Sequence, residues 1–207
     1  QSINRCEKMN LIVHRRNKVL ELLATDSKYG IEVDIRSEGD RLIIHHDPCV
    51  TGEFFDEWIS AYRHGTLILN VKEEGLEARL ISLMESKGID DYFFLDQSFP
   101  FLIKWSKAGV HKCAVRVSEF ESIDTALTLA GKVDWVWVDC FNYFPLTEQD
   151  AQKLKRAGFK LCLVSPELQG RDANVEISKL VSLLRERNIV ADAVCTKRPD
   201  LWETAGS

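Results

Sequence analysis

The sequence predicts an α/β fold, a (β/α)8 TIM barrel with a small hairpin inserted after its second strand. Three observations carry this expectation: eight short runs rich in β-branched and aromatic residues, helical apolar spacing between most of them, and a 207-residue length near the lower limit for such a barrel. The strand runs are 11–14, 30–36, 66–72, 92–97, 112–118, 133–140, 159–165 and 191–196. Apolar residues recur every three or four positions over most of 19–28, 54–64, 76–87, 99–107, 119–130, 147–157 and 175–187, while only the short stretch 199–203 follows the last strand. Thr147 with Asp150 three residues later reads as a helix start, and Gly88, Gly109, Gly131 and Gly158 fall where helices should stop. The run 42–46 follows 30–36 through Glu38-Gly39-Asp40, a tight-turn sequence that makes the hairpin. An open doubly wound sheet is the rival, and no Gly-rich phosphate loop supports it.

One domain over 1–207 is expected, with 1–8 reading as a leader or tag remnant because residue 1 is Gln and Met9 offers a start. With 45% hydrophobic and 29% charged residues the chain can bury a core, and a net charge of -5 argues against nucleic acid as a partner. Any phosphate recognition must then be local. Cys113, Cys140, Cys162 and Cys195 lie inside apolar strand-like runs without CxxC or Cys/His zinc spacing, so they read as reduced core thiols. No apolar stretch approaches the ~20 residues needed for a transmembrane segment, and no signal segment is visible, which makes a cytoplasmic location the expectation.

Catalytic groups of such barrels sit at the C-terminal ends of the strands, which here close on polar residues. The first ends in His14-Arg15-Arg16; the second carries Glu32, Asp34 and Arg36; the hairpin ends His45-His46-Asp47-Pro48; the third carries Asn70 and Lys72. Glu32 and Asp34, two apart on a strand, share a face about 6.6 Å apart along the backbone. Two interior carboxylates repel and resist desolvation, so a cation between them is the economical answer, and oxygen ligands favour Mg2+ or Ca2+. The alternative is an exposed face, or a pair neutralised by Arg36 and Lys72. His14 and His46 end runs expected at one rim, where two imidazoles can divide the proton transfers of a phosphodiester cleavage; each taken alone reads as a hydrogen-bonded structural residue. His45 should point away from His46, and Lys72 shares the face of Asn70, offering a fixed charge to a phosphoryl oxygen or a Schiff-base amine to a carbonyl.

His14-Arg15, then Gly30-Ile31-Glu32-Val33-Asp34-Ile35, then His46-Asp47-Pro48, and finally Thr196-Lys197-Arg198-Pro199-Asp200, resemble in residues and order the glycerophosphodiester phosphodiesterases. These belong to the superfamily of phosphodiesterases like phosphatidylinositol-specific phospholipase C, and the chain looks like a divergent member. The likeness is densest over 11–72 and returns at 191–201. It implies the same barrel with its hairpin, a divalent cation on Glu32 and Asp34, His14 and His46 as base and acid, and Lys72 on phosphate. Asn70 stands where the family carries a third metal carboxylate; its amide oxygen can still ligate a cation, and Asp96 is placed to compensate. The segment between His14 and Glu32 lacks the family's Glu-Asn-Thr stretch, and the seventh strand ends Leu163-Val164-Ser165-Pro166-Glu167 in place of a Trp-Thr-Val-Asn type run.

The expected function is divalent-metal-dependent hydrolysis of a small glycerophosphodiester-like substrate, with Arg15, Arg36, Lys72 and Arg116 binding phosphate or substrate and Glu32, Asp34 and Asn70 holding the metal. Ser118, Asp139, Asn142, Ser165 and Glu167 are further rim candidates, while Trp135 and Trp137 read as packing. Two rivals stand beside it: a non-catalytic sugar-phosphate-binding or phosphodiester-binding barrel, and an aldolase-like enzyme using a Lys72 Schiff base.

Overall fold

The computed structural model describes residues 8–206; most of the expected leader, 1–7, lies outside the described residues. In order they form β1 (Asn10–Val13), α1 (Val19–Ala24), β2 (Gly30–Glu38), β3 (Arg41–Ile44), β4 (Glu53–Phe54), α2 (Phe55–Ser60), β5 (Leu67–Val71), α3 (Glu77–Lys87), β6 (Tyr92–Leu95), α4 (Phe99–Lys107) and β7 (Ala114–Val117). Then come α5 (Ile123–Leu127), β8 (Trp135–Val138), α6 (Glu148–Arg156), β9 (Lys160–Val164), a 3-10 turn (Pro166–Gln169), α7 (Ala173–Glu186), β10 (Ala193–Thr196) and α8 (Pro199–Ala205).

Eight strands, in the order β6-β5-β2-β1-β10-β9-β8-β7, make one parallel ladder. Its ends, β6 and β7, approach each other through a single parallel bridge, Phe94 to Cys113, with the Phe94 amide donating to the Lys112 carbonyl at 2.9 Å. The sheet is thus curled in the manner of a TIM barrel, with helices packed on its convex face. The antiparallel extra is larger than the sequence suggests: β3 returns along β2, and the two-residue β4 adds to β3. Gly39, at φ +58°, supplies the left-handed turn between β2 and β3. At Gly52, before β4, a Cβ would stand 1.9 Å from the Ile44 carbonyl oxygen, so only glycine lets the hairpin close there.

Side-chain alternation decides what faces inward. Ile31, Val33 and Ile35 of β2 join the large core shared with the helices, as do Leu67, Leu69 and Val71 of β5. Ile12, Ile68, Phe93, Ala114, Trp135 and Cys195 belong to a separate inner cluster. Glu32, Asp34 and Asn70, which alternate with the outward set, therefore point to the inside. Trp135 and Trp137 are buried there, as packing residues. Among the described residues no cysteine is paired; Cys113, Cys140, Cys162 and Cys195 are buried thiols.

Helix ends follow local capping. Thr147 and Asp150 form a reciprocal capping box on α6, and Asp172 caps α7, so that helix begins earlier than apolar spacing alone indicates. The expected helix at 119–130 shrinks to α5, because Ser118 and Glu121 pair across a turn and Ser122 accepts from the Asp124 amide. Among the described residues no helix is long and apolar enough to cross a membrane.

Candidate active site

His14 follows β1 directly, where its amide donates to the Thr196 carbonyl at 2.9 Å. Its Nδ1 lies 2.7 Å from Glu32 Oε1 on β2, an ion contact in which neither atom attains hydrogen-bond geometry. Burial by itself pushes the Glu32 carboxyl up; the His14 contact and the charges of Arg15 and Lys72 outweigh it and hold the group below its ordinary range. Arg15, next in line, adopts a left-handed backbone at φ 47°, as does Asp96 after β6 at φ 61°. Each such non-glycine conformation costs on the order of 1–3 kcal/mol and tends to persist at functional sites.

Asp34 is fully buried and surrounded. Asn17 donates to its Oδ2 at 2.9 Å and receives its backbone amide at 3.1 Å. Arg15 Nε stands 3.5 Å from Oδ2, and Lys72 Nζ 3.7 Å from Oδ1 and 3.5 Å from Asp96 Oδ2. Asn70, buried on β5, is the register partner of Asp34. The sequence-predicted set His14, Arg15, Glu32, Asp34, Asn70 and Lys72 therefore meets at the C-terminal ends of three adjoining strands. Asn17 was not singled out by sequence reasoning; its signal was its place in the polar stretch that begins at His14.

His46 lies on the loop after β3, half-exposed, with Nδ1 2.8 Å from Asp47 Oδ1. Arg15 also acts on Asp47, whose carboxyl is held low chiefly by His46, so this loop borders the same mouth. Arg36 is directed at that loop rather than at the acid pair: it donates to the His45 carbonyl at 3.1 Å and the His46 carbonyl at 2.6 Å. His45 turns back to accept from the Asp47 amide.

On the far side, Arg116 of β7 lies 3.2 Å from Glu121 and 3.7 Å from Asp139. Burial raises the Asp139 carboxyl, against the opposing Gln169 hydrogen bond, Cys140 amide and Arg116 charge. Ser165 and Glu167 bond one another, and Glu167 also receives Thr196 Oγ1 and the Lys197 amide, which ties β9 to β10. Ser165 further accepts from Trp202 Nε1 at 2.9 Å. Those two candidates are thereby engaged in holding the frame. The backbones of Ser118 and Asn142 serve turns closed with Glu121 and Glu119. Where β6 meets β7, a cavity of about 780 Å3 is lined by Asp96, Phe99, Arg116 and Phe120 among others.

Glu32 Oε1, Asp34 Oδ1 and Asn70 Oδ1 are buried oxygens without a hydrogen-bond partner. Glu32 Oε1 has His14 at 2.7 Å and Asp34 Oδ1 has Lys72 at 3.7 Å, but Asn70 Oδ1 is left unpaired, at a cost of about 1–3 kcal/mol that a cation would offset. The donor chemistry, two carboxylates and an amide oxygen, fits a hard divalent ion.

Fold and site together define a TIM-barrel-like protein with a charge-rich mouth. In structural comparison, the crystal structure of a glycerophosphodiester phosphodiesterase from Agrobacterium tumefaciens superposes with a TM-score of 0.63 at 15% identity, covering 96% of this chain and 99% of that one. A Pseudomonas aeruginosa protein described as an aldo-keto reductase aligns at a TM-score of 0.40 and 11% identity over 95% of this chain and 75% of its own, too low to carry argument. No family model and no curated protein matches the sequence. The first likeness, at its low identity, speaks for the shared fold.

Proposed function

We propose that this protein is a divalent-cation-dependent phosphodiesterase acting on a small glycerophosphodiester, its eight parallel strands closing as a barrel around that site. The observation that carries the reading is the convergence of Glu32, Asp34 and the unpartnered oxygen of Asn70 with His14, Arg15 and Lys72 at one strand-end mouth. The likeness to the Agrobacterium phosphodiesterase points the same way. Bound Mg2+ or Ca2+ would polarise a non-bridging phosphoryl oxygen.

The chain's own groups do the rest. Arg15 and Lys72 neutralise charge on the phosphoryl group, and their ion contacts with Asp34 hold them ready for it. His14 turns Nδ1 to Glu32, leaving Nε2 to remove a proton from the attacking oxygen; His46, with Nδ1 on Asp47, presents Nε2 to protonate the departing alkoxide. Arg36 fixes the carbonyls of His45 and His46 and so the placement of that acid. The test is a hydrolysis screen of glycerophosphodiesters with Mg2+ or Ca2+, with and without chelator. Turnover that chelator abolishes is expected; turnover indifferent to it, or none with either ion, overturns the reading.

A non-catalytic phosphodiester-binding barrel is the second reading, favoured by Asn70 at the third ligand position, which leaves the cation one charge short. Calorimetric binding of a diester without cleavage would establish it. A Schiff base on Lys72 is disfavoured, since the amine would forfeit its ion contacts with Asp34 and Asp96.

A further inference from the structure

β1 lies between β2 and β10 in the ladder, so residues far apart in sequence stack beside His14. Cys195 of β10 is the register partner of Ile12, two residues before His14, and shares its inner cluster. The ligand atoms of His14, Glu32 and Cys195 all lie within 4.8 Å of one another. We propose that these three side chains form a binding site for a thiophilic divalent cation of the zinc class, overlapping the oxygen-ligand set at Glu32.

Three features carry this. The donors are one nitrogen, one oxygen and one sulfur, a mixture that selects Zn2+ over Mg2+ or Ca2+. Donors around a tetrahedral zinc sit roughly 3–4 Å apart, so small side-chain rotations gather the trio. Glu32, only 2% exposed, turns an oxygen to His14 Nδ1 at 2.7 Å, so two of the three donors already face each other in a buried setting. Direct contacts leave room on this side: Arg15 and Lys72 contact Asp34, while His14 is the only ion contact of Glu32 among the described residues. The Cys195 thiol is raised well above its ordinary range by burial and by Glu32, so it is protonated when free. Binding forms the metal–sulfur bond and releases that proton to solvent. A cation held here takes His14 and Glu32 out of the hydrolytic set, so, given the phosphodiesterase reading, the ion is an inhibitor.

Co2+ titration of the whole chain tests the site, because thiolate ligation gives a near-ultraviolet sulfur-to-metal charge-transfer band that needs no turnover. A saturable band is expected, displaced by Zn2+ and not by Mg2+, absent in Cys195→Ser and retained in Cys49→Ser. His14→Ala, with folding checked by circular dichroism, should weaken Co2+ binding by about 10-fold to 100-fold or more, at least the loss that a supporting residue of a metal site causes. No band in the unaltered chain, a band surviving in Cys195→Ser, or full affinity in His14→Ala overturns the proposal. Hydrolysis without the band rejects this inference alone; the band without hydrolysis rejects the phosphodiesterase reading alone.

Discussion

The two sides of the strand-end mouth shift their buried carboxylates in opposite directions. On the β1–β2–β5 side, Glu32 is held low by His14, Arg15 and Lys72 despite complete burial. On the β7–β8 side, burial prevails and the carboxyl of Asp139 is raised although Arg116, Gln169 and a backbone amide surround it. Burial taxes both groups; what differs is the positive charge within reach. The first side gathers enough positive charge to favour an ionised carboxylate, whereas on the second the single guanidinium of Arg116 does not offset burial.

That contrast breaks most visibly at the imidazoles. His14→Ala and His46→Ala should each lower turnover roughly 10²-fold to 10⁴-fold with an unchanged circular dichroism spectrum, since each removes an acid–base group; near-normal rates in both would dissolve the asymmetry. Lys72→Met should cost about 10²-fold in kcat/KM, as loss of a preorganised charge does, and an unchanged value would place the phosphate elsewhere. Asp139→Asn sharpens the comparison from the other side: steady-state kinetics should show less than about a 10-fold effect, as for groups contacting only the ground state.

The smallest effect concerns acid stability. The folded Glu32 carboxyl lies below its ordinary 4.5, so its contribution is fully present above that pH and is lost as pH falls through the lower, folded value. Asp139 works in reverse: its folded value lies above 3.8, so it favours folding in acid and that contribution fades as pH rises through the folded value. Denaturant melts of Glu32→Gln should therefore show a shallower loss of stability below about pH 4.5 than the parent, and an unchanged acid limb would mean that Glu32 gains nothing from its neighbours.

Much of this mouth was legible because strands alternate. Ile31, Val33 and Ile35 announce one face, which assigns Glu32 and Asp34 to the other, and the same count places Asn70 and Lys72. What escaped depends on contacts that no local pattern encodes. Asn17 reaches Asp34 from an irregular loop, Glu167 spends its carboxylate on β10, and Cys195 comes beside His14 only because the last strand pairs with the first. Arg36 was read as a phosphate ligand from its strand position, yet the hairpin folds carbonyls into its reach before any ligand arrives.

Neighbouring strands elsewhere in the ring share two to five register pairs, but β6 and β7 are stitched by the single Phe94–Cys113 bridge. The wall is therefore thinnest beside a cavity of about 780 Å3, lined from Leu95 to Arg116 across that same seam. Parting there would sacrifice fewer backbone bonds than at the other joints among the described strands, so this seam is where the parallel ladder is least tightly bound.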